Sequence, residues 1–99
     1  MALMQLTVIP LGTGSPSVGD YVADIQKALE KEGVSFKLTD MGTIIEGEAA
    51  ALLALAARLH ELSFGHGLQR AVTQISLDDR RDRQDGLGDK VASVQRRRG

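Results

Sequence analysis

The sequence contains no cysteine, which excludes disulfide bonds, thiolate metal ligands and cysteine nucleophiles. It has no tryptophan and three aromatic residues in 99, so one subunit offers few rings to stack on a flat ligand. The net charge of −1 excludes a global field that would favour nucleic acid or an anionic membrane. The composition is that of a small globular protein, and we expect a single domain over residues 1–99.

Long hydrophobic runs are also missing. The longest apolar segment, Ala49 to Ala57, is too short to span a bilayer. The first ten residues carry no basic stretch and only an interrupted apolar run, so we expect no secretory signal. Both absences predict a cytoplasmic protein that does not enter a membrane.

Side-chain periodicity predicts the order β-α-β-β-α-β followed by a C-terminal helix. This is the order of the split-βαβ, ferredoxin-like sandwich, an α+β fold. Right-handed crossovers place both main helices on one face of a four-stranded antiparallel sheet with spatial order 4-1-3-2. The predicted strands cover residues 3–9, 34–38, 43–46 and 68–77, and the predicted helices lie between Ser17 and Gly33, at 49–62 and from Leu87 onwards.

The stretch from Asp40 to Gly47 contains a carboxylate within a predicted central strand. Ile45 and Glu46 are neighbours, so their side chains must point to opposite faces of the sheet. Burial of a carboxylate is costly without a partner. Glu46 is therefore either a ligand-binding carboxylate or half of a structural ion pair with Lys37 or Arg70.

The loop Gly12-Thr13-Gly14-Ser15 precedes the first predicted helix. Amide donors and the helix dipole at such a place favour phosphate. The loop lacks the Walker lysine arrangement and a full GxGxxG motif, so a simple strand-to-helix connection is favoured over a phosphate site.

Other patterns give little evidence of chemistry. His60 and His66 have no obvious third ligand, so we predict no metal site. The alternating charges at residues 78–83 are typical of a solvated loop, although the arginines could reach a carboxylate or phosphate on a partner chain. The short basic tail, Arg96 to Arg98, makes a poor nucleic-acid reader, and we expect no nucleic-acid partner. No nucleophile–base pair can be identified, so we predict no catalytic residue and no cofactor.

Several short motifs, taken in order and spacing, resemble one family. They are Val8–Gly12, Ser17-Val18 with Tyr21-Val22, Met41–Thr43 with Glu46-Gly47, Arg70 with Thr73, Ile75 and 79–82, and Lys90-Val91 with Ser93-Val94. From about Met4 to Val94 the chain resembles the small thiamine-binding proteins, a conserved family long of unknown function. The resemblance implies a ferredoxin-like fold, dimers that pair as tetramers, binding of thiamine or its hydroxymethylpyrimidine part, and no established catalytic activity.

The resemblance also implies roles for individual residues. Glu46 would accept a hydrogen bond from the pyrimidine amino group or pair with a protonated ring nitrogen. Hydroxyl groups would add contacts to the ring and to the hydroxyethyl end or an attached phosphate, and apolar side chains would pack on the rings. The expected ligand-binding residues are Glu46, Thr43, Met41, Gly42, Thr39, Ile9, Gly12, Ser15, Ser17 and Phe36.

The sequence thus favours a small-molecule binding protein that acts as a carrier, buffer or sensor. One alternative is a regulatory or assembly module whose open sheet face only makes oligomers, without a specific thiamine ligand. Another is an enzyme acting on a thiamine precursor with Glu46 as general base, which would need a reactive proton within hydrogen-bond reach.

Overall fold

The structure, a computed structural model, describes residues 1–12, 18–82 and 88–98. The described residues form four strands, three α-helices and one short 3₁₀ helix. In chain order these are β1 (Ala2–Pro10), α1 (Val18–Glu32), β2 (Ser35–Thr39), β3 (Gly42–Gly47), α2 (Ala49–Leu62), the 3₁₀ helix (Ser63–His66), β4 (Ala71–Asp79) and α3 (Asp89–Arg98).

The strands form one antiparallel sheet in the order β2-β3-β1-β4. This confirms the predicted β-α-β-β-α-β ferredoxin-like arrangement and the predicted spatial order. β1 is paired on both edges, to β3 on one side and to β4 on the other. Within the described chain, β2 and β4 are the outer strands of the sheet.

The hydrophobic core lies between the sheet and the two long helices. Even-numbered residues of β1 from Ala2 to Val8 are buried, because alternate side chains of a strand point to one face. Ile25 and Leu29 of α1 are four apart and therefore share one helix face, which packs against that side of the sheet. Burial of each large aliphatic side chain contributes about 1.5–3 kcal/mol to folding. The core cluster consists of Ala2, Met4, Leu6, Val8, Ile25, Leu29, Ile45, Leu52, Leu55, Ala56 and Leu59.

The predicted bounds of the fourth strand were wrong. Leu68 is buried but lies outside the strand, because the chain turns at Gly67, whose φ is +79°. Pairing begins only at Ala71, and the strand then continues through Asp78 and Asp79, for which the charge pattern predicts a loop. The predicted loop at 63–67 contains the 3₁₀ helix. The predicted start of the last helix at Leu87 lies outside the described residues.

The turn between β2 and β3 brings the chain unusually close to β1. Only Asp40 and Met41 separate the paired residues Thr39 and Gly42. Gly42 has a φ of +151°, and a Cβ atom there would lie 2.5 Å from Thr7 Oγ1 and 2.8 Å from the main-chain oxygen of Leu6. Glycine is needed at this position for both its conformation and its lack of a side chain.

We predict that Gly42→Ala lowers the free energy of unfolding by about 2 kcal/mol or more, because the methyl group must displace backbone and adopt a strained φ. The measurement is urea unfolding followed by circular dichroism. Gly65→Ala is the matched control, since Gly65 is exposed, has no positive φ and has nothing within 4 Å of the position that the added methyl carbon would take. Equal stability of the two variants would contradict the steric role of Gly42.

Candidate functional site: a cavity at the β2–β3 turn

A cavity of about 500 Å³ opens where the β2–β3 turn, the end of β1 and the helix α1 meet. Its volume lies within the range of small-molecule sites, about 300–1,000 Å³. The walls are mainly apolar and include Val22 and Ile25 of α1. The polar side chains in the lining are Thr7, Thr39, Asp40 and Thr43. An apolar cavity with a few polar groups is the usual form of a site for a small organic molecule.

The cavity exists because β1 extends further than its neighbour β3. β1 pairs with β4 as far as Pro10, opposite Ala71, whereas its pairing with β3 stops at Leu6, opposite Thr43. The residues before β3 form the Asp40–Met41 turn, which lies against β1 but leads back to β2 and does not continue the ladder. Beyond Leu6, no strand of the described chain therefore pairs with this edge of β1, and the cavity occupies that place.

The main chain of Val8 faces the cavity along this unpaired edge. Leu11 N–H donates to the carbonyl of Arg70 at 3.0 Å, which extends the β1–β4 ladder. In an antiparallel ladder alternate residues bond to alternate sides, so the odd-numbered residues of β1 bond to β4. Val8 N–H and C=O consequently point to the other edge, where they form an adjacent donor and acceptor, while Pro10 offers a carbonyl alone.

Two of the threonines in the lining hold the turn in place. Thr7 Oγ1 donates to the carbonyl of Met41 at 2.9 Å. Thr39 Oγ1 donates to the carbonyl of Gly42 at 2.8 Å and accepts from Met41 N–H at 3.3 Å. These bonds connect β1 and β2 to the turn that forms one rim of the cavity. The side chain of Met41 itself is left 77% exposed.

Thr43 is the buried polar side chain of the cavity, with 4% of its surface exposed. Its Oγ1 accepts a hydrogen bond from Gln26 Nε2 at 3.1 Å, so its own O–H remains able to donate.

Sequence reasoning missed Gln26. The available signal was a polar residue next to Ile25, on the apolar side of α1. Sequence reasoning also did not select Asp40, because the place of Asp40 in the lining depends on how the turn packs on β1.

The structure brings half of the predicted ligand-binding residues together. Ile9, Thr39, Met41, Gly42 and Thr43 line the cavity. Three other predicted residues are not in that lining, and two lie outside the described residues. The three that are not in the lining are Phe36, which packs against the core cluster, Gly12, which is exposed just beyond β1, and Glu46. Ser15 and Ser17 are the two outside the described residues.

Glu46 lies on the sheet face away from the helices. Its cross-strand neighbours are Leu3 and Ser35, and it is four residues, about 13 Å, along β3 from Gly42. Lys37 is one diagonal step away on the same face, within reach of an ion pair. Arg70 is level with Leu11, about 26 Å from Leu3 along β1, and cannot pair with Glu46. A ligand-binding role for Glu46 stays a prediction.

The charged segment after Leu77 is paired largely within itself. Arg81 Nη2 donates to Asp79 Oδ2 at 2.8 Å, and this hydrogen bond lowers the pKa of the Asp79 carboxyl below its ordinary value. Arg80 Nε donates to Asp82 Oδ1 at 2.6 Å. These pairs are largely exposed to solvent, so they contribute little to stability.

His60 has structural partners at the end of α2. Its Nδ1 lies 2.6 Å from Thr73 Oγ1 of β4, and its ring meets that of Phe64 edge-on with centroids 5.4 Å apart. The side chain therefore joins the end of α2 to β4 and to the 3₁₀ helix.

Comparison with known proteins assigns the family. The family model described as thiamine-binding protein matches residues 4–95. The chain belongs to the thiamine-binding protein family. Its relative UPF0045 protein YqgV of Bacillus subtilis is 47% identical over 100 aligned positions, which cover 97% of this chain and 96% of that protein. The description of the family names a ligand and not a reaction.

Solved structures share the fold. A domain of unknown function, DUF77, from Bacillus cereus superposes with a TM-score of 0.80 at 23% identity, over 91% of this chain and 86% of that one. A proposed thiamine biosynthesis/salvage protein from Thermotoga maritima superposes with a TM-score of 0.79 at 15% identity, over 94% and 97%. At these identities the likeness shows the fold alone. Among the described helices, none has the length and apolar character needed to cross a membrane.

We predict that Thr7→Val lowers the free energy of unfolding by about 1 kcal/mol, because the carbonyl of Met41 loses its long-range hydrogen bond. Amide hydrogen exchange at Gly42 and Thr43 should become faster. Thr7→Ser is the control, because it keeps the hydroxyl group and should stay close to the parent protein. Slow exchange in Thr7→Val would show that the turn does not depend on this bond.

Proposed function

We propose that the chain binds thiamine or its hydroxymethylpyrimidine part in the cavity at the β2–β3 turn, in the cytoplasm, as a carrier, buffer or sensor. Membership of the thiamine-binding family supports the class of ligand. The observation that carries the proposal is the donor–acceptor edge of Val8, with which no strand of the described residues pairs, at an apolar cavity. The side chains that line the cavity are suited to holding a ring, and the proposed role is binding without catalysis.

The aminopyrimidine ring matches the edge of Val8. Its exocyclic amino group is a donor and the neighbouring ring nitrogen is an acceptor. The amino group would donate to Val8 C=O while the ring nitrogen accepts from Val8 N–H, as a neighbouring strand would. Specificity would then come from backbone groups held by the β1–β4 ladder, which is a rigid part of the fold.

Aliphatic walls can hold the ring without aromatic stacking. Val22, Ile25 and Leu38 line the cavity from α1 and β2. Many carbon–carbon contacts of about 0.1–0.2 kcal/mol each add up over a flat ring. Met41 stands exposed at the rim, and its flexible thioether is suited to close over a bound ring.

Calorimetric titration with thiamine and oxythiamine tests the proposal. Oxythiamine carries an oxo group in place of the amino group, so an acceptor would face Val8 C=O and the donor–acceptor pattern would be reversed. We predict saturable binding of thiamine and about ten-fold or weaker binding of oxythiamine, because an unmatched buried polar group costs about 1–3 kcal/mol. Equal affinities would contradict recognition by the Val8 edge.

Glu46→Gln and Thr43→Val locate the ligand in the same assay. Binding in the cavity predicts that thiamine affinity falls in Thr43→Val and is unchanged in Glu46→Gln. Loss of affinity in Glu46→Gln alone would place the ligand on the sheet face that carries Glu46. If the folded parent protein gives no heat with any of these ligands, the assembly-module alternative is favoured.

We also propose that the chain forms a homodimer and that dimers pair as tetramers. The observation behind this is an uncovered outer strand. Ile75 and Leu77 of β4 are 44% and 38% exposed, although their register places them on the same sheet face as the core residues Leu6 and Met4. Exposed apolar side chains on an outer strand favour association with another chain.

We predict that Ile75→Lys lowers the oligomeric mass measured by light scattering after gel filtration, because a charge on the outer strand opposes its burial. Leu53→Lys is the control. Leu53 is exposed to a similar degree, 48%, but lies on α2. A monomeric parent protein, or an unchanged mass in Ile75→Lys, would count against association through β4.

A further inference from the structure

The cavity at the β2–β3 turn carries charge of one sign. Among the described residues that line it, Asp40 is the only ionisable one, and lysine, arginine and histidine are absent from that lining. The other residues of the lining are apolar, glycine or threonine. A charged ligand that enters the cavity therefore meets one negative side chain and no positive one from this part of the chain.

The position of Asp40 is fixed by the backbone on both sides of it. Thr39 and Gly42 are paired across the β2–β3 ladder. The carbonyl of Met41 accepts from Thr7 and that of Gly42 accepts from Thr39, so the turn is attached to two strands. The side chain of Asp40 is exposed, which places its carboxylate at the mouth of the cavity rather than in its apolar interior.

We propose that Asp40 determines specificity by charge: it favours the cationic, unphosphorylated ligand and disfavours phosphate esters of the same ligand. This inference rests on the proposed function and adds to it the charge class of the molecule that is bound. Thiamine carries a permanently positive thiazolium ring. With the aminopyrimidine on the Val8 edge, the rest of the molecule extends towards the mouth, where the Asp40 carboxylate attracts a cation.

A phosphate ester reverses this interaction. A phosphate group carries about −1.5 to −2 charges at neutral pH, so its repulsion by Asp40 outweighs the attraction of a single thiazolium charge. The described lining offers no cationic side chain to offset that repulsion. Because Asp40 is exposed, water and salt screen its field, and the effect on affinity should be about five-fold rather than larger.

Calorimetric titration of the parent protein and Asp40→Asn tests the inference, with thiamine, thiamine monophosphate and hydroxymethylpyrimidine at low and high salt. In the parent protein, thiamine should bind more tightly than its monophosphate. In Asp40→Asn, the affinity for thiamine should fall by about five-fold and the affinity for the monophosphate should not fall. The ratio of the two affinities should therefore decrease. Above neutral pH, uncharged hydroxymethylpyrimidine should bind both proteins equally. High salt should lower the parent protein's preference for thiamine over the monophosphate until it approaches the preference of the variant.

Glu61→Gln is the matched control. Glu61 is an exposed carboxylate on α2 and does not line the cavity, so its removal should leave the preference unchanged. An unchanged preference in Asp40→Asn, or an equal effect of Glu61→Gln, overturns the role of Asp40 while leaving the proposed function intact. Tighter binding of the monophosphate by the parent protein also overturns it. Absence of binding by all three ligands overturns the proposed function itself, and this inference with it.

Discussion

Gly42 brings the start of β3 so close to β1 that no side chain fits between the two backbones. Because of this approach, Thr7 can bond the carbonyl of Met41 and the β2–β3 turn lies against β1 instead of projecting into solvent. The turn then forms one rim of the cavity, with the unpaired end of β1 and the helix α1 as its other sides. A steric limit at one glycine thus determines where the cavity lies.

Much of the fold could be predicted from the sequence because it follows from local periodicity. The bounds of α2 and the opposite orientations of Ile45 and Glu46 require only the spacing of apolar residues. The start of β4 could not be found in this way. Leu68 is apolar and lies next to the strand in sequence, but it is buried beside a turn at Gly67.

The candidate site was only half predictable for a related reason. Side chains near the turn, such as Met41 and Thr43, could be selected from their motif. The edge of Val8 could not, because its function would depend on main-chain groups that every residue possesses and on the unequal pairing of β1 with its two neighbours. Asp40 shows the same limit, since a turn residue becomes part of a cavity only through the packing of distant strands.

The end of β1 has a further consequence for association between molecules. An unpaired strand edge is a template on which another chain can add a strand, which leads to aggregation. Here the edge that no described strand pairs with is interrupted after Val8 by Pro10, which has no N–H to offer, and the β2–β3 turn lies against its other end. The edge left between the turn and Pro10 is thus too short to recruit an extended peptide.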